Sequence, residues 1–278
     1  MTLSPSEAQQ AVKNARVAAV QMVSTPRVAE NLNVAATLIA EAVAQGADLV
    51  ALPEYFPIMG LRDRDKVSVR EADGTGPIQD FLAKTARQHG IWLIGGSLPL
   101  IASTPGKVLN SSLVYNPQGE RVARYDKIHL FGFQKGKERY NESATIEAGN
   151  QPLAFDTPFG RVGLTICYDM RFPELYRRLG EVDLLVIPAA FTETTGRAHW
   201  EILLRARAIE NQCYVLAIAQ GGLHENGRET HGNSMLIDPW GEILARRDKG
   251  SGVVIGHIDH ARIADVRASL PALTHRVM

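Results

Sequence analysis

Residues 165 to 174 read TICYDMRFPE, and they put a thiol where an apolar run stops: Val162 to Ile166 ends on Cys167, and charged residues and a proline come at once after it. A strand that turns sharply into a helix exposes the side chain at the turn on the rim of its sheet, while the next backbone N–H points into the same space. In that setting Cys167 would be a nucleophile and the Tyr168 N–H an oxyanion donor. Pro173 suits the first turn of the next helix, and Glu174 suits its positive end. The competing reading is a buried cysteine that packs as a small hydrophobe, the common fate of a free thiol. Cys213, which opens the apolar run CYVLAIA, is read that way.

A cysteine attacks as thiolate, and its ordinary pKa of about 8.5 leaves little of that form at neutral pH, so a base is needed. Eight histidines are present, but His129, His199, His224 and His231 all lack a setting that marks them as that base. Glu54 has one: in ALPEYF it comes after an apolar strand and its closing proline, the place where functional groups gather in an open α/β sheet. Lys127 closes the run RVARYDK and likewise stands just past a strand end. A solvated loop side chain is the alternative for both. The chemistry requires the three strand ends to converge.

The rest of the chain must build those ends. Strand patterns at 15–22, 48–52, 91–95, 112–115, 121–125, 183–188 and 213–219 alternate with helix patterns at 29–45, 78–89, 173–179 and 198–211. That alternation is an α/β signature, and low-complexity tracts and linkers are absent, so one domain is expected over 1–278. Residues 1–14 read as a flexible or helical lead-in, and about 260–278 as a C-terminal extension at a subunit interface. Segments 116–127, NPQGERVARYDK, and 238–249, DPWGEILARRDK, match at a constant offset. Each places Pro second and Gly fourth, the chemistry of a type I turn in a β-hairpin. Two similar halves suggest two packed sheets with helices outside. The repeat also sets a control: if Lys127 serves chemistry, its counterpart Lys249 does not, because its surroundings differ.

Composition narrows the function classes. The 278 residues are 45% hydrophobic with zero formal net charge, so no bulk field draws in nucleic acid or an anionic membrane, and neither is expected as a partner. No apolar stretch approaches the span of a bilayer, and MTLSPSEAQQAVKNAR lacks a signal-peptide core, which makes a cytoplasmic location the expectation, with both cysteines reduced. Paired Cys or His at zinc spacing are missing, so no metal or other cofactor is expected.

LPE at 52–54, YDKIHLF at 125–131, ICYDMRFPEL at 166–175 and AHWEILLRARAIENQCYV at 198–215 together resemble, in order, the signature blocks of the nitrilase superfamily, the carbon–nitrogen hydrolases. The resemblance spans most of the chain. It implies a four-layer α-β-β-α sandwich, two mixed sheets face to face with helices outside, and a Glu-Lys-Cys centre. Carried onto this sequence, Cys167 is the nucleophile, Glu54 the general base and acid, Lys127 the stabiliser of the tetrahedral intermediate, and Glu142 in RYNES a second glutamate that positions the reactants. It further implies hydrolysis of an amide through a Cys thioester, and Lys127→Ala is expected to cripple turnover while leaving the fold intact.

Within the superfamily the run AFTETTGRAHWEILLRARAIENQCYVLAIAQGG is most similar to the branch of deaminated glutathione amidase and ω-amidase, whose members act on small carboxylic or 2-oxo acid amides. Deaminated glutathione is the first substrate that this likeness implies, an ω-amidase substrate the second. Asn233 departs from the branch, where a His stands in a GHSM-like motif, and this leaves substrate choice open. Arg171 and Arg197 are candidates to bind a substrate carboxylate, and Phe191 and Thr192 to line the acyl pocket. The likeness also implies a homodimer or a higher even-numbered assembly. The rivals from another class are a non-catalytic binding relative and a thiol redox sensor. A binding module gains nothing from Glu54, Lys127, Glu142 and Cys167 together, and a sensor wants a resolving cysteine nearby.

Overall fold

Along the strand Ala15–Gln21 both faces are buried. Val17 and Ala19 join an apolar cluster with Leu184, Val186 and Leu216, while Ala18 and Val20 join another with Leu38, Ile39 and Leu82. Strand side chains alternate between faces, so a strand apolar on both must have a layer on each side. The computed structural model, which describes residues 12–136 and 138–277, supplies those layers.

One sheet runs in the order Gly252–Ile258, Ala15–Gln21, Leu49–Ala51, Trp92–Ile94, Val108–Tyr115 and Leu98–Ile101, with Arg121–Asp126 and Ile146–Glu147 also paired to Val108–Tyr115. The other runs Leu153–Thr157, Gly160–Leu164, Leu184–Ala189, Tyr214–Ala219, Ser234–Ile237 and Ile243–Arg247. Parallel strands form the centre of each sheet and antiparallel strands its flanks. Helices Val28–Ala44 and Pro77–His89 cover the first sheet through Leu38, Ile39, Ile78 and Leu82. Helices Pro173–Arg178 and Glu193–Asn211 cover the second through Tyr176, Trp200, Leu204 and Ala208. The architecture is therefore a four-layer α-β-β-α sandwich of two mixed sheets.

Three segments differ from the sequence-based expectation or extend it. The helix expected from Ala198 begins at Glu193, because the Thr192 side chain accepts from Thr195 N and caps it. The stretch expected as a mixed loop after Lys127 contains a small hairpin, Gly132–Lys135 with Glu138–Asn141, outside both sheets. Of the lead-in expected over 1–14, residues 1–11 lie outside the described residues, while Lys13 N donates to Pro158 O and Asn14 Oδ1 accepts from His260 N. Toward the other end, helix His260–Ser269 buries Ile263 and Val266 against its own chain.

The repeated segments close two hairpins, one in each sheet, with matching bonds. Gly119 N donates to Asn116 O and Gly241 N to Asp238 O, and Asn116 Oδ1 and Asp238 Oδ1 each accept two backbone N–H groups of their own turn. Both glycines have positive φ, +75° and +89°. An added Cβ would stand 2.5 Å from the Ala83 carbonyl oxygen at Gly119, but against the movable Ile209 side chain at Gly241. Gly241→Ala is expected to cost about 1 kcal/mol of left-handed strain and Gly119→Ala about 2 kcal/mol or more, since backbone must also shift. Urea midpoints of the two variants check the order.

Candidate active site

Strand Gly160–Leu164 ends three residues before Cys167, which sits at φ +49° and opens the short 3-10 turn Cys167–Arg171. A positive φ at a residue other than glycine is strained and must be held by its surroundings. Asp169, fully buried, holds it. Its Oδ2 accepts from Ile166 N at 2.9 Å and Tyr125 OH at 2.7 Å, and its Oδ1 accepts from His129 N at 2.9 Å and bonds His129 Nδ1 at 2.8 Å. Tyr125 and His129 lie two residues either side of Lys127, so one carboxylate ties the cysteine turn to the strand end that carries the lysine. The Tyr168 N–H belongs to the first turn of its helix, where N–H groups have no partner within the helix.

Lys127 stands just past strand Arg121–Asp126 and is 0% exposed. Its Nζ donates to Glu54 Oε1 at 2.8 Å and to Glu142 Oε1 and Oε2 at 2.9 and 2.8 Å. Glu54, just past strand Leu49–Ala51, also accepts from Asn110 Nδ2 at 2.9 Å and, on Oε2, from Ala190 N at 2.8 Å. Glu142, delivered by the small hairpin, accepts from Tyr55 OH at 2.8 Å and Phe131 N at 2.7 Å. First-sheet residues thus supply the carboxylate and ammonium, and second-sheet residues supply Cys167 and the Ala190 N–H. Lys249 shows what the lysine looks like without this setting: its side chain is 43% exposed and pairs with Glu229 and Glu193 on the surface.

The charges are set by this packing. Burial alone would lower Lys127, but the Glu142 and Glu54 carboxylates outweigh it and hold the ammonium well above its usual range. Burial pushes the Glu142 carboxyl up, yet Lys127 more than offsets this and leaves it below its ordinary value. The Cys167 thiol is pushed up, first by burial and then by Glu54, with Lys127 only partly opposing, so it rests protonated.

A small space at Cys167 is lined by Glu54, Glu142, Tyr168, Phe191 and Thr192, and shares Phe131, Glu142 and Arg228 with a larger cleft of about 510 Å³. Of the residues expected from sequence, Glu54, Lys127, Glu142 and Cys167 come together, and Tyr168, Phe191 and Thr192 line the space beside them. Arg171 and Arg197 line neither cavity. Arg197 is 78% exposed on the outer face of its helix and paired with Glu193, and Arg171 lies over the Phe191 and Tyr168 rings with its guanidinium toward His199. None of the eight histidines lines either cavity; His224 is buried with both ring nitrogens bonded. Asn233 adopts φ +58°, accepts from Arg246 and faces away from both cavities, a backbone role that asparagine tolerates. Tyr55, Asn110, Asp169 and Arg228 escaped the sequence reading. Tyr55 and Asp169 sit inside the blocks that drew notice, and Asn110 is a polar residue within an apolar strand, but nothing marked Arg228.

The profile of the carbon-nitrogen hydrolase family matches residues 16–268. The chain belongs to the carbon-nitrogen hydrolase family. It is 45% identical over 266 residues to a deaminated glutathione amidase of Synechocystis, covering 94% of this chain and 97% of that one. It is 38% identical to the omega-amidase NIT2-B of Xenopus laevis, covering 94% of each. The crystal structure of Saccharomyces cerevisiae Nit3, a member of branch 10 of the nitrilase superfamily, matches with a TM-score of 0.83 at 30% identity, covering 93% of this chain and 95% of that one. The four-layer sandwich thus has its counterpart among solved carbon-nitrogen hydrolases.

Burial revises the expectation that replacing Lys127 spares the fold. Without its ammonium this carbon-nitrogen hydrolase would keep buried carboxylates with no counter-charge, a defect that costs about 3–5 kcal/mol. In the native protein the lowered Glu142 contributes stability that is present above its ordinary pKa of 4.5 and is lost as pH falls through the folded-state value. In Lys127→Met burial, the largest influence on Glu142, is opposed only by the Tyr55 and Phe131 hydrogen bonds and raises it, so the sign reverses. The variant is expected to gain stability between about pH 8 and about pH 5, where the native protein gains none. Urea midpoints at the two pH values give the comparison.

Proposed function

We propose that this carbon-nitrogen hydrolase is an amidohydrolase that cleaves the amide of a small carboxylic or 2-oxo acid, deaminated glutathione first among them, through a thioester on Cys167. The observation that carries the reading is the buried Lys127 ammonium shared by Glu54 and Glu142 beside the strained Cys167 turn. The relatives named deaminated glutathione amidase and omega-amidase support the substrate class.

The thiol rests protonated, so proton removal accompanies attack: Glu54 takes the proton as the sulfur bonds to the amide carbon and the carbonyl pair moves onto oxygen. Lys127 Nζ and the Tyr168 N–H hold that oxygen. Nζ has three N–H donors, and relaxing its two contacts with Glu142 to one frees a donor for the purpose. Collapse breaks the carbon–nitrogen bond, Glu54 returns the proton to the departing ammonia or amine, and a thioester remains. Glu54 then deprotonates water, the hydroxide adds to the thioester, and collapse releases the acid and the sulfur, which regains its proton. Glu142 keeps the ammonium aimed at the reacting oxygen.

Ammonia or amine release across deaminated glutathione, 2-oxo acid amides, simple amides and nitriles tests the reading, together with protein mass after acid quench. An acyl adduct on the native protein that disappears in Cys167→Ala is expected, with a loss of turnover of at least about a thousandfold. Neither adduct nor product from any short amide would sink it and favour a binding relative or a redox sensor.

We also propose a cytoplasmic homodimer. Among the described residues no helix is long and apolar enough to cross a membrane, and both cysteines are free. Ile202 and Ile209, one heptad apart on helix Glu193–Asn211, are exposed, and Ile209 lies beside the turn that carries the exposed Trp240. Sedimentation is expected to give a dimer for the native protein and a monomer for Ile202→Glu with Ile209→Glu.

A further inference from the structure

The larger cleft holds two cations without carboxylate partners. Arg228 donates to the Ala190 carbonyl oxygen at 2.5 Å and lies 5.0 Å from the Tyr140 ring centroid, but its Nε is buried with no hydrogen-bond partner. A donor shut away from water without an acceptor leaves the site incomplete. Lys66, on the short helix Asp65–Ser68, makes no ion pair among the described residues; its contacts are Thr145 Oγ1 at 3.4 Å and the Tyr55 ring at 5.7 Å. Asp63 and Glu142 act on it only from beyond ion-pair distance, and Glu142 is taken by Lys127. Glu138 Oε1 accepts from Thr194 Oγ1 and its Oε2 meets no donor, so it serves neither cation. Burial, the largest influence on Lys66, lowers it and outweighs the two carboxylates, and the charges of Arg228 and Lys127 add to the effect. More of Lys66 than of an ordinary lysine is therefore neutral amine.

As an ammonium, Lys66 only adds a second like charge beside Arg228. As an amine it can become the acceptor that is missing. Its lone pair adds to the carbon of carbon dioxide, one C=O pair moves onto oxygen, and the proton displaced from nitrogen passes to water or buffer. The side chain then ends in a carbamate, with one negative charge and two acceptor oxygens. We propose that Lys66 is a carbamylation site for carbon dioxide and that Arg228 Nε–H donates to the carbamate formed there. The one weak hydrogen bond of Lys66 uses an N–H and leaves the lone pair uncommitted. The cleft of about 510 Å³, lined by both Lys66 and Arg228, admits the small uncharged reactant. A planar guanidinium matches a planar carbamate as it matches a carboxylate, and it stays charged while the lysine reacts. The reaction turns two surplus positive charges into a compensated pair. It uses neither Cys167 nor an amide, so it stands apart from the amidase reading.

Carbon-13 NMR of the native protein in labelled bicarbonate tests the site, and ethylation with a trialkyloxonium salt followed by peptide mass places the carbamate on the chain. A carbamate resonance is expected, with an ethoxycarbonyl group on Lys66, and both are expected to vanish in Lys66→Met. Arg228→Gln is expected to need about tenfold more carbon dioxide for half-conversion, the loss of one charge-assisted hydrogen bond, and Arg228→Lys to recover part of the difference. The ethylation arm reads the native protein directly, so its result stands whether or not a variant folds. No carbamate in excess carbon dioxide, or carbamate only on the amino terminus or on other lysines, overturns the site. Equal conversion of Lys66 in the native protein and in Arg228→Gln overturns its pairing with Arg228.

Discussion

An ammonium group shut away from water between two carboxylates is the interaction on which the site depends. Removing Lys127 Nζ from solvent is expensive, and the cost is met only because its acceptors are at bonding distance and are themselves held. Glu54 is fixed by Asn110 and the Ala190 N–H, and Glu142 by Tyr55 and the Phe131 N–H. These partners come from strands or strand ends of both sheets and from the segment that leads into the small hairpin. A slip of any one element would leave a buried charge unpaired, so the polar cluster fixes how the layers register against one another while it arms the chemistry.

The internal repeat separates local from tertiary causes. Both copies fold into the same turn with the same hydrogen bonds, and both end in Asp-Lys. Yet Lys127 is sealed among carboxylates and Lys249 lies on the surface. Local sequence builds the hairpin. The downstream chain decides the fate of the lysine: beyond Lys127 lies His129, which bonds Asp169 beneath the cysteine turn, and then the hairpin that delivers Glu142.

Much of this was legible because strand ends announce themselves. Apolar runs closed by Pro53 and by Cys167 marked two strands and the side chains beyond them, since buried strands read as continuous hydrophobic stretches, whereas Lys127 stood out at the end of the half-exposed hairpin strand RVARYD. The start of helix Glu193–Asn211 was missed because its first turn, ETTG, is polar; the capping Thr192 was the available signal. Arg171 and Arg197 drew attention by type and by nearness to helix starts, but whether an arginine faces a cleft depends on helix rotation and on its neighbours, which spacing does not encode. Arg228 sits in a polar stretch with no periodicity, and its importance comes only from what is absent around its Nε. Asn110 became meaningful once Glu54 was seen across from it.

Because the proposed nucleophile belongs to one sheet and its base to the other, the two halves of the chain form a split reagent. Each half could keep its hydrogen-bonded strands and helices and still be chemically mute. Separating the sheets by the width of a water molecule would silence the protein before any change in its secondary structure could be recorded, so turnover serves as a gauge of interlayer closure finer than any spectroscopic measure of strand or helix content.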